Sequence, residues 1–183
     1  FGGSDPDNLT AIALKALSRP DLSHLSVCVL VGSANPHQGE VRALVQQHPD
    51  AVLYSQVDNV AELMAKADIA IGAGGTTTLE RMAVGLPSIV ITIAENQVAF
   101  TRELDRDGYL NWLGNADQED ENTIHDALLE ALNDPNQLRD YSEKGKKLVD
   151  GMGTKIVTDW LINGPGIEAL RARRASISDC LLY

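Results

Sequence analysis

Cysteine, aromatic residues and positive charge are all scarce in this 183-residue chain. Its two cysteines, Cys28 and Cys180, stand far apart, which leaves no paired-cysteine metal motif and no disulfide that spacing could assign. The four histidines, His24, His37, His48 and His125, show no metal spacing and read as ordinary surface histidines. No metal and no cofactor are expected. A serine nucleophile elbow is absent, and Trp112 and Trp160 read as packing anchors rather than stacking platforms. No apolar stretch approaches the ~20 residues that span a bilayer. No secretory signal opens the chain either, so a cytoplasmic location is expected.

The charge balance is 15 basic against 26 acidic residues, a net −11. Such a surface repels a nucleic-acid backbone and an anionic membrane, which excludes both as main partners. It also constrains any phosphate site. Positive potential must then be local, supplied by backbone N–H groups and helix dipoles rather than by a lysine-rich face.

What the chain does contain is apolar residues, 44% of the total, enough for one domain with a substantial core. Two kinds of segment alternate. Helical spacing marks 9–17, 38–47, 60–67, 76–84 and 97–105, with Asp5 and Asp7 as candidate caps for the first. Short β-branched or apolar runs mark strands at 25–31, 51–54, 69–71 and 88–93, with a brief extended piece at 109–113. Near-continuous apolar strands joined by helices predict an α/β fold, a Rossmann-like parallel sheet sandwiched by helices on both faces. Cys28, inside one of those runs, reads as a small buried hydrophobe. From Glu119 to Val149 the pattern is purely helical, broken at Asp134-Pro135, and a last helix is expected over 154–162. Asn163-Gly164-Pro165-Gly166 then stops it.

Three segments could carry chemistry. Gly2-Gly3-Ser4-Asp5-Pro6 precedes a helix, where glycine permits close approach of an anion and free N–H groups point outward. It also reads as a plain capped turn. Such a loop normally follows a strand, so the chain is expected to come from a longer protein. Gly72-Ala73-Gly74-Gly75-Thr76-Thr77-Thr78-Leu79-Glu80 lies between a strand and a helix, at the carboxyl end where open α/β sheets bind ligands. It is neither a dinucleotide fingerprint nor a P-loop. Glu80 falls one turn into the helix, placed either to accept from sugar hydroxyls or to serve the helix dipole. Ala94-Glu95-Asn96-Gln97 follows the next strand and suits a polyhydroxyl ligand, or else caps the helix after it.

The stretch from Gly74 to Pro87 resembles the glycine-threonine-glutamate helix of GT-B nucleotide-sugar enzymes such as the peptidoglycan N-acetylglucosaminyltransferase. The opening from Phe1 to Thr10, the Ala94–Gln97 turn and Val149-Asp150-Gly151-Met152-Gly153 are similar to one group in particular. These are the UDP-sugar hydrolases of pseudaminic acid biosynthesis, with relatives in spore-coat polysaccharide biosynthesis. The resemblance implies the C-terminal half of a GT-B fold over residues 1–162. It implies UDP or a UDP-sugar as ligand, with the N-terminal domain of the same protein as partner. Gly3, Ser4, Gly74, Gly75 and Thr76 would touch the diphosphate, and Glu80 the ribose. Backbone around Gln56 and Val57 would meet uracil, while Glu95, Asn96 and Gln97 would face the sugar.

In such hydrolases the base that activates water is a histidine of the N-terminal half, and none of the four histidines here matches its motif. The catalytic residues are therefore left unassigned, and the fragment alone is expected to be inactive. A glycosyltransferase donor domain and a non-catalytic nucleotide-binding module are the alternatives. Residues 163–183 are expected to form a linker and the start of a further domain. The basic run Leu170–Arg174 with Asp179 and Leu181-Leu182-Tyr183 resembles the opening of a GNAT-type acetyltransferase.

Overall fold

A computed structural model describes residues 1–55 and 57–163. The chain divides into two compact units, Phe1–Val149 and the segment from Asp150 on. The first alternates helix and strand as the periodicity predicts. Its elements are α1 (Leu9–Leu17), β1 (Val27–Val31), α2 (Gln38–Gln47), β2 (Ala51–Ser55), α3 (Val60–Lys66), β3 (Ala70–Ala73) and α4 (Thr77–Val84). There follow β4 (Ser88–Thr92), α5 (Glu95–Arg106), β5 (Asn111–Asn115), α6 (Glu121–Asn133) and α7 (Pro135–Leu148). In the second unit, α8 (Gly153–Asn163) follows a turn in which Met152 N donates to Asp150 Oδ1 at 2.8 Å. The resemblance to an acetyltransferase falls on residues outside the described ones.

Local chemistry explains the helix ends. Asp5 is buried and accepts from Leu9 N (3.0 Å) and Thr10 N (3.1 Å), satisfying donors that the start of α1 leaves free. Asp7, the other expected cap, lines a nearby cleft instead. Gly85, at φ +73°, closes α4 in a left-handed turn, with Leu86 N donating to Arg81 O at 2.8 Å. Asp120 and Thr123 form a reciprocal capping box on α6. Asp134 caps α7 with Pro135 in its first turn, which is why the helical run breaks there.

All strand pairs are parallel, but the strands form two sheets rather than one. β1 pairs with β2 in register Val27 to Ala51 through Val31 to Ser55. β3, β4 and β5 form the second sheet, with an irregularity between Val90 and Ile91 where Leu113 is left over on β5. β4 is buried throughout, as its continuous Ser-Ile-Val-Ile-Thr sequence predicts. Val29 and Val31 of β1 pack with Leu14, Val41 and Val45 under α1 and α2. Leu9, Ala13 and Ala16 of α1 pack instead with Ile89, Ile91, Ile124 and Leu128.

Three expectations are corrected. Cys28 is exposed, because among the described residues β1 is covered on one face only, and its neighbours Leu30 and Val52 are exposed beside it. His48 and His125 are buried, and His125 is held between Asp21 and Asp126, both ring nitrogens at 2.9 Å from a carboxylate oxygen. Glu95, Asn96 and Gln97 are not a turn before α5. They are its first turn, since nothing in that sequence opposes helix and Gln97 caps the entry.

Candidate functional site

Parallel strands place every strand-to-helix loop at one end of a sheet, and that end gathers most of the residues singled out above. β3 ends at Ala73, and Gly74-Gly75-Thr76 turn directly into α4. Gly74 is buried against the neighbouring helix: a Cβ there would lie 2.5 Å from Thr101 Oγ1 and 3.0 Å from Thr92 Cγ2. Only glycine lets the loop sit this close to α5. Gly75 and Thr76 lie further out, Thr76 exposed at the cap position of α4.

Gln97 joins this loop to the next one. Its Oε1 accepts from Ile93 N at 3.0 Å, so its amide group is oriented, and its Nε2 lies 3.8 Å from where a Gly75 Cβ would be. A donor-only amide nitrogen is thus presented beside the backbone N–H groups of the glycine loop.

The opening loop reaches the same end. Gly3 packs on Gly32, just past β1: a Cβ on Gly32 would lie 2.5 Å from the Gly3 carbonyl oxygen. Gly2 approaches Ile93 past β4, 3.8 Å from its Cδ1 to the position of a Cβ. Asp7 of this loop and Glu95 of α5 share the walls of a cleft of about 300 Å³ with Thr92, Asn115 and Asp117. Ser4, Glu95 and Asn96 are exposed, with side chains open to a ligand. Glu80 is exposed in the first turn of α4. Val57 follows β2 in the other sheet, so the strand order, not local contact, relates it to the rest. Gln56 lies outside the described residues.

Sequence reasoning missed two participants. Gly32 reads only as the end of a strand, yet its lack of a side chain seats the opening loop. Arg81 is buried on α4, donating from Nη2 to Ala73 O (2.9 Å) and Thr78 Oγ1 (3.0 Å). Burial lowers its pKa to about 10, against the opposing pull of Glu80, so the guanidinium stays charged at neutral pH. It ties the last residue of β3 to the first turn of α4. The available signal was its spacing, since Thr78, Arg81 and Met82 are the buried residues of that helix.

Residues 1–153 match the glycosyltransferase family 28 C-terminal domain. The chain belongs to that family. A curated relative, the spore coat polysaccharide biosynthesis protein SpsG of Bacillus subtilis (strain 168), is 31% identical over 159 residues. That match covers 86% of this chain and 47% of the relative, so the family 28 domain here spans about half the relative's length. Among solved structures, Acinetobacter baumannii MurG superposes with a TM-score of 0.57 at 20% identity, covering 81% of this chain and 48% of the other. WaaG, a glycosyltransferase involved in lipopolysaccharide biosynthesis, superposes at 0.60 with 18% identity, covering 81% and 41%. The family 28 domain therefore has the α/β fold of GT-B C-terminal domains, as the resemblance implied. Among the described residues no helix is long and apolar enough to cross a membrane.

Proposed function

We propose that this domain grips UDP or a UDP-sugar as the C-terminal half of a hydrolase. That enzyme would release UDP from a diacetamido-trideoxy sugar in surface-polysaccharide or nonulosonic-acid biosynthesis. The observation that carries the reading is the convergence of the Gly74–Gly75 loop with the oriented amide of Gln97. The opening glycine loop sits at the same end of the strands. The diphosphate takes backbone donors from Gly3, Ser4, Gly74, Gly75 and Thr76, which is how an acidic chain holds an anion. Glu80 accepts from the ribose hydroxyls, Val57 meets the base, and Glu95, Asn96 and Gln97 face the sugar. The group that activates water belongs to an N-terminal domain of the same polypeptide. The spore-coat relative supports the polysaccharide setting. The family match supports a second reading equally, a glycosyltransferase donor domain with the same grip.

Calorimetry with UDP and with pyrophosphate tests the grip. UDP binds, and Glu80→Ala weakens UDP ten-fold or more while leaving pyrophosphate nearly unchanged, since one charged hydrogen-bonding contact contributes ~1.5–3 kcal/mol. No UDP binding by a folded sample rejects the site. Equal losses for both ligands reject the role of Glu80.

A further inference from the structure

The opening loop adopts a backbone that its own residues disfavour. Asp5 at φ +40° and Asn8 at φ +52° are the non-glycine residues with left-handed backbone among the described residues. Asp and Asn tolerate that region better than most, yet such geometry persists only where the surroundings impose it. Pro6 stands between them and has no N–H, so the loop cannot brace itself at that point.

The bracing comes from the turn that follows β1. Gly3 rests on Gly32. His37 Nε2 lies 3.0 Å from the carbonyl oxygen of Pro6, and Asn8 Nδ2 donates to Glu40 Oε2 at 2.8 Å. Glu40 also pairs with Lys15 at 3.5 Å, so one carboxylate spans α1 and α2. The turn is itself fixed. Asn35 is buried, its N–H donates to Gly32 O at 3.1 Å, and its Oδ1 accepts from His37 N at 2.7 Å. Gln38 Nε2 donates to Ser33 O at 3.0 Å, and Val41 and Val45 anchor α2 in the core. A carbonyl oxygen only accepts, so His37 Nε2 carries the hydrogen of its bond to Pro6.

We propose that His37 is a positioning residue for the diphosphate-binding loop. Its bond to Pro6 O, together with that between Glu40 and Asn8, clasps Gly2–Asn8 in the form that aims the Gly3 and Ser4 N–H groups. This role rests on the reading of UDP or a UDP-sugar as the ligand. His37 itself touches no ligand. It sets the fraction of molecules whose loop is ready to bind, and apparent affinity falls in proportion as that fraction falls. UDP and pyrophosphate both carry the diphosphate, so both depend on the clasp. That sets His37 apart from Glu80, whose loss is confined to UDP.

Two variants of the chain test it. His37→Phe keeps a ring without a donor, and His37→Gln restores an N–H near the position of Nε2. Calorimetry shows UDP and pyrophosphate each bound roughly ten-fold more weakly by His37→Phe, and within about three-fold of the parent by His37→Gln. The melting temperature of both stays near that of the parent. Backbone NMR relaxation of ligand-free samples gives order parameters at Ser4, Asp5 and Asp7 that fall from about 0.85 to below about 0.6 in His37→Phe alone. Glu40→Ala gives the same pattern through Asn8, which keeps the test available should His37→Phe fail to fold. Affinities equal to the parent in both His37→Phe and Glu40→Ala overturn the proposal. So does a loss confined to UDP, a loss that His37→Gln does not restore, or a loop that stays rigid. A parent that binds neither ligand rejects the reading beneath this role, and the relaxation data then support or overturn the clasp by themselves.

Discussion

Arg81 lies directly on Gly72, its Nη1 filling the space where a Cβ would stand. A buried guanidinium on a bare stretch of β3 reaches the carbonyl of Ala73 because nothing projects from the residue before it. This links a strand, a helix and the glycine loop through one side chain. Gly72→Ala forces Arg81 off both Ala73 O and Thr78 Oγ1, and is expected to cost about 1.5–3 kcal/mol, the worth of hydrogen bonds to a charged group. Urea unfolding measures it. A midpoint equal to that of the parent shows that Arg81 moves freely and the link is unimportant.

Asp5 is expected to matter more than its surface neighbours. Replacing it by Ala removes the acceptor for Leu9 N and Thr10 N and costs ~1–2 kcal/mol. Asp5→Asn retains one acceptor oxygen and tolerates the left-handed backbone at φ +40°, so its loss is smaller. Asp7→Ala, whose side chain caps nothing among the described residues, leaves the melting temperature near that of the parent.

His125 makes stability depend on pH in a definite direction. Each ring nitrogen faces a carboxylate, and only the doubly protonated ring can donate to both. Hydrogen bonds to Asp126 and then Asp21 raise its pKa above the ordinary 6.5, while the bond to His125 lowers that of Asp21 below its ordinary 3.8. A raised pKa stabilises fully below the unfolded value and loses that contribution as pH rises through the folded one. The Asp21 contribution is present above its ordinary value and is lost in acid. Thermal stability is therefore expected to fall from pH 6 to pH 8, and His125→Gln flattens that slope. An unchanged slope in the variant assigns the dependence elsewhere.

Gly74 and Thr101 should behave as a coupled pair. A methyl group at Gly74 meets Thr101 Oγ1 and Thr92 Cγ2, pushing the loop out from α5. Gly74→Ala is expected to lower UDP affinity at least ten-fold, and Thr101→Ala in the same chain restores part of it. Strict additivity in the double-mutant cycle denies the contact a role in shaping the loop.

The element order was legible because each segment carries its own period. Leu9–Leu17 and Gln38–Gln47 show helical spacing and became α1 and α2 with those bounds. β4 reads as a continuous apolar run and is buried at every position. Asp134-Pro135 ends one helix and begins another for reasons internal to the dipeptide. The position of Gly74-Gly75 between a strand and a helix was legible too, since an apolar run ends just before them and a helical period begins just after. All of this rests on interactions within a few residues of one another.

Exposure and pairing were decided elsewhere. Val27–Val31 looks the same whether one or two of its faces are covered, and only the exposure of Cys28 and Leu30 in the folded chain distinguishes them. His125 looks like any polar helix residue until Asp21, far off in sequence, packs against it. Arg81 is buried because Gly72, with no side chain, leaves room for its guanidinium. The sequence by itself determined the kind and order of the helices and strands, because caps, turns and periodicity act locally. Only the tertiary structure decided which faces are buried and which loops meet, because those depend on surfaces brought together from distant parts of the chain.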